Sequence, residues 1–295
     1  MYVNVDDTTY LYCALSEGPR DPSQPEGQSE AVDVCAGLLV PAAALDDLSA
    51  RFDTIASRYR GPTGAVHIAE LAPAARLALH AEVHAAIQSA NLAGIWYAVH
   101  PEGFHTYFTK FLGSSDREDR DKLRVDLFAG LCTQLEAFLS ERGGDVAIVG
   151  VRSGPALAHL HGQFQEVVGA LLEGKDAYDL GLLDDDDEEE YDPDHPGATP
   201  PPQASEQAPA GGITIEAMAD GDGLTLAAEV LADSLGQLFN HRPLETRYGP
   251  LNRREAIADH PLVRNLDVSS ALAEDNVMGD GLYAHPLAKA MKTRH

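Results

Sequence analysis

The stretch AVDVCAGLLVPAAALDDLSARFDTIASRYR, residues 31–60, changes its hydrophobic period at Pro41. Before the proline, residues 31–40 form one apolar run that is typical of a buried strand. After it, four apolar residues recur at helical spacing: Leu45, Leu48, Phe52 and Ile55. A strand that leads directly into an amphipathic helix indicates an α/β protein.

The same succession of strands and helices continues along the chain. Further apolar runs predict strands at 92–100, 145–151 and 213–219. Helical patterns are found after Pro73 and at 120–142, 154–174 and 223–242. A loop rich in Pro, Gly and Ser, at 16–30, joins the first two strands. This order predicts a mixed-direction sheet with helices packed on it.

The N-terminal sequence MYVNVDDTTYLY places two adjacent carboxylates, Asp6 and Asp7, beside a short apolar strand. Aspartate is disfavoured in strands, and neighbouring strand residues point to opposite faces of a sheet. One interpretation is a turn at the tip of a hairpin that joins residues 2–5 to 9–15. The other is a metal-binding carboxylate at the end of a first strand. The residues of this stretch alone leave both interpretations open.

The chain of 295 residues is long enough for one large α/β domain, and its composition breaks at one place. Residues 176–212 join an acidic run to PGATPPPQASEQAPAGG, and we expect them to be largely disordered because they bury too little apolar area. The strand and helix within 213–250 are too small to fold alone. We therefore predict one domain made of 1–175 and 213–250, interrupted by this insertion and followed by a C-terminal extension at 251–295.

The charge of the chain argues against one class of partner. Of the net charge of −26, residues 176–194 contribute 11 acidic groups with no basic one, and the rest of the chain still carries −15. Duplex nucleic acid is bound by neutralising phosphates, so a broad basic surface for it is not expected. A small basic groove, or nucleic acid held through metal ions, is compatible with this charge.

The location of the protein is predicted from its cysteines and from its N-terminus. Three scattered cysteines, Cys13, Cys35 and Cys132, lie in apolar contexts that are typical of buried free thiols in a reducing compartment. The N-terminus has no basic segment followed by an apolar one, so we expect no signal peptide. No apolar run reaches 18 residues, so we expect no membrane span. These features favour the cytoplasm.

Three stretches resemble the bacterial domain-of-unknown-function family numbered 3800, whose members are regarded as having a ribonuclease H-like fold. YVNVDD is similar to the family's first strand, which ends in Asp-Glu-Ser-Gly. VCAGLLVPAAALDDL is similar to its next strand and the start of a helix, and LTLAAEVLAD to a late helix. The resemblance covers about 1–175 and 213–245. It implies a ribonuclease H-like mixed sheet.

The resemblance also implies a chemistry, two-metal hydrolysis of phosphodiesters with Mg²⁺ or Mn²⁺. Three or four carboxylates from separate elements hold the two ions, which activate water and stabilise the leaving oxygen. The family's first aspartate falls on Asp6, and its glutamate neighbour becomes Asp7. The late-helix aspartate is replaced by Glu229, with Asp233 one turn further on the same face.

Two further acids of the family pattern are missing from this chain. The family's Glu-x-His feature corresponds to AVHIAEL in this chain, where Ala65 replaces the glutamate and His67 is kept. Glu70, three residues after His67, can replace the missing glutamate only if the backbone of this stretch differs from that of the family. No aspartate ends VAIVGV, which has Gly150 and Val151 instead. The resemblance thus implies catalytic roles for Asp6, Glu70 and Glu229 and metal ligation by Asp6, Glu229 and Asp233, in a site that is weakened or inactive.

Other residue patterns have competing interpretations. His80 and His84 have the spacing of two zinc ligands on one helix, but Glu82 does not follow the first histidine as a metalloprotease requires, and ordinary surface or half-buried histidines are favoured. Trp96 and Tyr97 are better explained by core packing than by stacking on a base. Glu229 and Asp233 also fit a solvated acidic stripe.

The sequence thus favours a divergent ribonuclease H-like protein, a metal-dependent nuclease with a degenerate site, for which nucleic acid is the substrate class. The alternative is a catalytically inactive interaction or scaffold protein that binds a basic protein partner through its acidic insertion. For the acidic run itself, a solvating linker is the simpler interpretation.

Deleting residues 184–211 is expected to leave the melting temperature nearly unchanged. A segment of this composition buries little apolar area, so removing it costs the folded state few contacts. Thermal unfolding of the full chain and the deletion variant, followed by circular dichroism, measures the difference. A loss of several degrees would show that the segment packs on the domain.

Overall fold

The structure, a computed structural model, describes residues 8–18, 30–111, 120–142, 145–151, 158–172, 222–243, 245–266, 281 and 283–288. Four strands are described: β1 Thr8–Ser16, β2 Asp33–Pro41, β3 Ala93–Val99 and β4 Asp145–Val151. The α-helices are α1 Leu45–Ala56, α2 Pro73–Ala90, α3 Pro101–Phe111, α4 Arg120–Arg142, α5 His161–Leu172, α6 Gly223–Asn240 and α7 Val263–Leu266. The 3₁₀ helices are Ala42–Ala44, Ile68–Glu70, Ala158–Leu160 and Arg254–Ile257. The predicted α/β class is confirmed.

The four strands form one sheet in the order β3-β2-β1-β4. β1 pairs antiparallel with β2, and β2 pairs antiparallel with β3. β4 runs parallel to β1. The predicted mixed direction of the sheet is therefore confirmed.

The pairing of β1 decides between the two interpretations of the N-terminal stretch. Thr9 pairs with Pro41 on one side and with Val146 on the other, and the paired positions continue in both ladders to Cys13. A hairpin of residues 2–5 with 9–15 needs a free edge on the first residues of β1, and both edges are occupied. The hairpin prediction is therefore wrong. Asp6 and Asp7 lie outside the described residues.

Successive strand residues point alternately into two hydrophobic cores. One core contains strand residues Tyr12, Val34, Leu38, Val40 and Trp96 and is covered by α1, α2 and α6. The other contains Leu11, Cys13, Cys35, Leu39 and Tyr97 and is covered by α3, α4 and α5. Because both faces are covered, the strands read as continuous apolar runs rather than as alternating ones.

Helix α6 is the central helix of the first core. It packs against β1, β2 and α1, and its side chains are buried on nearly every side. Asp222 caps its N-terminus by accepting hydrogen bonds from the backbone N–H groups of Leu224 and Thr225. At Gly223 the helix approaches α1 so closely that a Cβ there would stand 2.3 Å from the backbone N of Asp53. A side chain at Gly223 is therefore excluded by packing.

Residues 251–266, predicted as the start of an extension, belong to the first core. Leu251, Ile257 and Leu262 are buried in it. The side chain of Asn252 hydrogen-bonds the outer edge of β3, accepting from Ala98 N at 2.7 Å and donating to Ala98 O at 2.8 Å. This amide takes the place of a neighbouring strand at that position, which protects an edge from pairing with another chain.

Apart from the hairpin, most local predictions in the described residues are confirmed, with two differences. The helix predicted at 154–174 begins as an α-helix only at His161, and α3 was not predicted. The three cysteines are buried and free, as expected. Among the described residues, no helix has the length and apolar character needed to cross a bilayer. The predicted strand at 213–219 and the insertion at 176–212 lie outside the described residues.

Replacing Asn252 with alanine is expected to lower the free energy of unfolding by about 2–4 kcal/mol, because two buried backbone groups of Ala98 lose their partners. Urea denaturation of the purified protein measures this change. Gln163→Ala, at an exposed position of α5, is the matched control and should change stability by less than about 0.5 kcal/mol. Equal effects of the two substitutions would show that the edge of β3 does not depend on Asn252.

Candidate functional site

A cleft of about 710 Å³ lies between α2 and α6. Part of its lining is apolar, from Leu77, Ala81, Ala85, Leu238 and Pro261. The rest is polar and includes His80, His84, Ser234 and His260. A concave site that combines apolar walls with a few convergent polar groups is the usual form of a ligand site.

The two histidines of α2 enter this region because they lie on the buried side of the helix. His80 and His84 are one turn apart and share that side with Leu79, Val83 and Ile87. Both histidines are less than a tenth exposed, so the expectation of surface or half-buried histidines is wrong. Their rings stand with centroids 5.9 Å apart. A buried pair of imidazoles therefore faces α6.

Asp233 of α6 is held by cationic and polar side chains. Arg76 of α2 donates two hydrogen bonds to its carboxylate, one of them from Nε at 3.0 Å, and Gln237 donates another at 2.9 Å. His80 Nε2 stands 2.9 Å from Oδ2 without hydrogen-bond alignment. Burial alone would raise the pKa of Asp233, but the contacts with His80 and Arg76 outweigh it and lower the pKa. Asp233 is therefore an ionised, paired carboxylate.

His84 has no such partner. Its residue is 9% exposed, and its Nε2 is buried without a hydrogen-bond partner among the described residues. Its ring also stands 5.6 Å from that of His260, centroid to centroid. Burial, with the nearby charge of His80, lowers the pKa of His84 to about 4. The imidazole is thus neutral near pH 7 and presents an unsatisfied nitrogen.

His260 and Ser234 form a pair that resembles a catalytic dyad but has the wrong protonation. The backbone N–H of Leu262 donates to His260 Nδ1 at 3.1 Å, so the ring proton of neutral His260 is on Nε2. That Nε2–H points at Ser234 Oγ, 2.9 Å away, while the Ser234 hydroxyl donates to Leu231 O at 2.9 Å. A general base must accept the serine proton, and here the imidazole donates instead. The pair is a structural hydrogen-bond chain.

The histidine cluster does not fit a metal ion. His260 cannot ligate through Nε2 while Nδ1 accepts a backbone N–H, since a neutral ring has only one nitrogen lone pair. His80 contacts Asp233, which Arg76 already holds. Within the described ranges, no three or more His, Cys, Asp or Glu side chains are grouped so that they could hold a metal.

The residues predicted for the two-metal site are only partly described. Asp6 lies outside the described residues, so its convergence with Glu229 stays a prediction. Glu70 is exposed on the 3₁₀ helix Ile68–Glu70. Glu229 is half-buried on α6, one turn before Asp233. The structure brings Glu229 and Asp233 onto one helix face, and the contacts of Asp233 contradict the solvated-stripe interpretation for that residue.

Sequence reasoning missed two residues of the cleft, Ser234 and His260, and the cation that holds Asp233, Arg76. The partners of all three are set by tertiary packing. Arg76 and Asp233 are separated by 157 residues. One signal was available in the sequence: a carboxylate on an otherwise apolar helix needs a cation when buried, and α2 carries an arginine one turn before its histidines.

A second buried carboxyl, on the other side of the sheet, has its pKa shifted in the opposite direction. Asp126 of α4 accepts a hydrogen bond from the hydroxyl of Tyr283 at 3.2 Å. Burial raises the pKa of Asp126 to about 7, and the Tyr283 hydrogen bond offsets only part of this rise. The contrast with Asp233 shows how much the contacts with His80 and Arg76 contribute to keeping a buried carboxylate charged.

The neutral histidines predict a loss of stability in mild acid. The ordinary pKa of 6.5 falls to about 4 for His84 and to about 3 for His260, mainly through burial. Below pH 6.5 the unfolded chain binds protons that the folded chain does not, so the free energy of unfolding falls as the pH drops. The stability that His84 and His260 lose in acid is fully present above pH 6.5.

His84→Leu removes one of these titrating groups. The free energy of unfolding of this variant should therefore depend less on pH between pH 6.5 and 4. Urea denaturation at several pH values measures the slope. His67→Leu, at an exposed position, is the control and should keep the slope of the natural sequence. Parallel curves for His84→Leu and the natural sequence would contradict the burial of a neutral His84.

Comparison with known proteins does not assign this site. A scan against family models finds no match, and searches of curated proteins and of solved structures find none either. The resemblance to family 3800 rests on the three stretches of sequence described above. The chemistry of the cleft must accordingly be argued from its own side chains.

Proposed function

We propose that this chain is a divergent ribonuclease H-like protein whose two-metal centre is degenerate. The mixed four-stranded sheet, with helices on both faces, is what the resemblance to family 3800 implies. The order of strand, strand and helix along β1, β2 and α1 agrees with it, as does a late amphipathic helix, α6. These agreements support the proposed fold.

The main support for the loss of the nuclease centre is the pairing of Asp233 with Arg76. A metal ligand must offer free lone pairs to the cation, and this carboxylate already accepts from a guanidinium and from Gln237. The fixed positive charge of Arg76 beside the carboxylate also repels a divalent ion. Asp233 therefore does not fit a Mg²⁺ or Mn²⁺ site.

What remains is at most one weak divalent-ion site at Asp6 and Glu229. Two acids of the family pattern are missing, since Ala65 and Gly150 or Val151 stand in their places. Glu70 is exposed. To act in catalysis, its carboxylate would have to reach the ion held by Asp6 and Glu229. Two-metal hydrolysis needs three or four converging carboxylates, so a site of two acids supports ion binding better than cleavage.

A second candidate function is an interaction module. Residues 176–194 carry 11 acidic groups and no basic one, a composition that attracts basic proteins at long range. In this alternative, the folded domain serves as a scaffold for the acidic segment, and nucleic acid is not a partner.

Under the proposal, Mg²⁺ or Mn²⁺ should raise the melting temperature modestly, because an ion that binds only the folded state stabilises it. The protein should not cleave single- or double-stranded DNA or RNA at a robust rate. Thermal shift with each ion, beside a nuclease assay on the same preparation, tests both statements. Asp6→Asn should abolish the thermal shift.

Asp7→Asn is the matched control, because it removes the same charge from the neighbouring residue. It should leave the ion-dependent shift in place. Cleavage that disappears in Asp6→Asn alone would overturn the degenerate site and establish a nuclease. Absence of both the shift and cleavage would contradict the residual ion site and favour the interaction module.

A further inference from the structure

The last described segment of the chain, 283–288, is held against the second core by aromatic contacts. Tyr283 is 1% exposed, and its ring packs against those of Phe104 and Tyr107 of α3 at centroid distances of 5.1 and 5.5 Å. Its backbone lies so close to α3 that a Cβ on Gly103 would stand 1.8 Å from the carbonyl oxygen of Tyr283. A short segment held mainly by side chains can open locally while the domain stays folded. We call this segment the Tyr283 latch.

His285 is the second anchor of the latch, and it lies between two other rings. Its side chain is fully buried, and its ring centroid is 5.4 Å from that of His100, in an edge-on arrangement. On Tyr248 it stacks, with centroids 4.3 Å apart. His100, directly after β3, is itself only 3% exposed. Two imidazoles from distant parts of the chain therefore face each other away from solvent, although a histidine in water titrates near about pH 6.5.

Neither imidazole has a place for a second proton while the latch is docked. Nδ1 of His285 accepts the backbone N–H of Leu287 at 3.1 Å, and this hydrogen bond is lost if Nδ1 carries a proton. Nε2 of His100 lies 3.5 Å from the carbonyl oxygen of Gly249, which can only accept, so the lone pair of the neutral ring is on Nδ1. That Nδ1 is buried without a hydrogen-bond partner among the described residues. A second proton on either ring would thus be a poorly satisfied buried charge.

The charged groups near the two rings do not favour their protonation. Burial, with the nearby charges of the neighbouring histidine and of Arg242, lowers the pKa of His100 to about 3. Glu30 contacts the hydroxyl of Tyr248, and its carboxylate is paired with Arg247. The docked latch therefore holds both imidazoles in the neutral form.

Asp126, at the first anchor, acts in the opposite direction. It accepts from the hydroxyl of Tyr283, while its Oδ2 is buried without a hydrogen-bond partner among the described residues. Burial raises its pKa to about 7. From β3 and α3, the titratable side chains that act on Tyr283 are Tyr97 and Tyr107, and on α4 itself Lys122 is exposed. The Asp126 carboxyl is therefore protonated in the docked latch in mild acid, and it ionises once water reaches it.

We propose that the Tyr283 latch is a pH-sensitive switch that opens in mild acid, when His100 and His285 take up protons. Each histidine binds a proton below about pH 6.5 in the open state but not in the docked state, so docking weakens as the pH falls. Asp126 loses its proton on opening between about pH 4 and 7 and offsets one of the two histidines. Opening uncovers the aromatic side chains of α3 that pack against Tyr283. The switch is independent of the residual ion site proposed above.

A nitroxide spin label on the latch reports its docking in the full-length protein. Ala288→Cys, at a half-buried latch position, is labelled, and electron paramagnetic resonance separates immobilised from mobile label. The natural sequence, whose three cysteines are buried, is treated with the same reagent to measure stray labelling. The ratio of mobile to immobilised label should rise about tenfold from about pH 7.5 to 5, the net effect of two histidines and one carboxyl. Circular dichroism at each pH checks that the domain stays folded.

Two substitutions in the labelled protein separate the opposing groups. Asp126→Asn keeps an acceptor for Tyr283 and cannot ionise, so the ratio should rise on the order of several hundredfold over the same range. His100→Phe keeps a ring beside His285 and cannot be protonated, so the ratio should not rise. His67→Phe, at an exposed position outside the latch, is the matched control and should follow the unsubstituted protein.

Three results would overturn the proposal. The first is a ratio of mobile to immobilised label that does not increase towards pH 5 in the protein with natural His100 and Asp126. The second is the same pH dependence in His100→Phe as in that protein. The third is label mobility that appears only together with loss of the helical circular dichroism signal, because the segment would then unfold with the domain and not as a latch.

Discussion

Both faces of the central sheet are apolar, and the architecture depends on keeping water from each of them. β2 and β3 are buried along both faces, so a helix layer is needed on each side. α4 and its neighbours cover one face and α6 covers the other. Because α1 and α2 in turn pack against α6, that helix is apolar nearly all round. Asp233, a largely buried carboxylate on this helix, has the guanidinium of Arg76 beside it.

The prediction of elements from sequence succeeded where the signal is local. Pro73 begins α2, and the apolar periodicity of 120–142 coincides with α4. The strand predicted at 9–15 coincides with β1, but its hairpin partner was wrong, because β2 and β4, distant in sequence, occupy both of its edges. α3 was missed because Gly103 and several aromatic residues disfavour a helix locally. Its aromatic side chains Phe104 and Tyr107 pack against Tyr283, far along the chain.

The cleft could be predicted only in part, for a similar reason. The spacing of His80 and His84 marked them as a pair, but the pattern does not tell whether a metal, a carboxylate or nothing lies between them. The answer comes from α6 and from residues around 260, which are distant in sequence. Pairing by packing also explains why Ser234 and His260 resemble a catalytic dyad. Their hydrogen-bond directions, which local sequence does not encode, make them structural.

The position of α6 in the chain has a consequence for how the protein is made. During synthesis the sheet residues through β4 emerge first, and α6 is complete only roughly 90 residues later, which takes on the order of 5–20 s at ribosomal rates. Until then, the sheet face with Trp96 and Leu38 has no α6 to cover it. A nascent chain with an open apolar sheet is a substrate for chaperones and is prone to aggregate. The acidic run at 176–194 emerges in this interval, and a segment of high like charge opposes association between chains before α6 is complete.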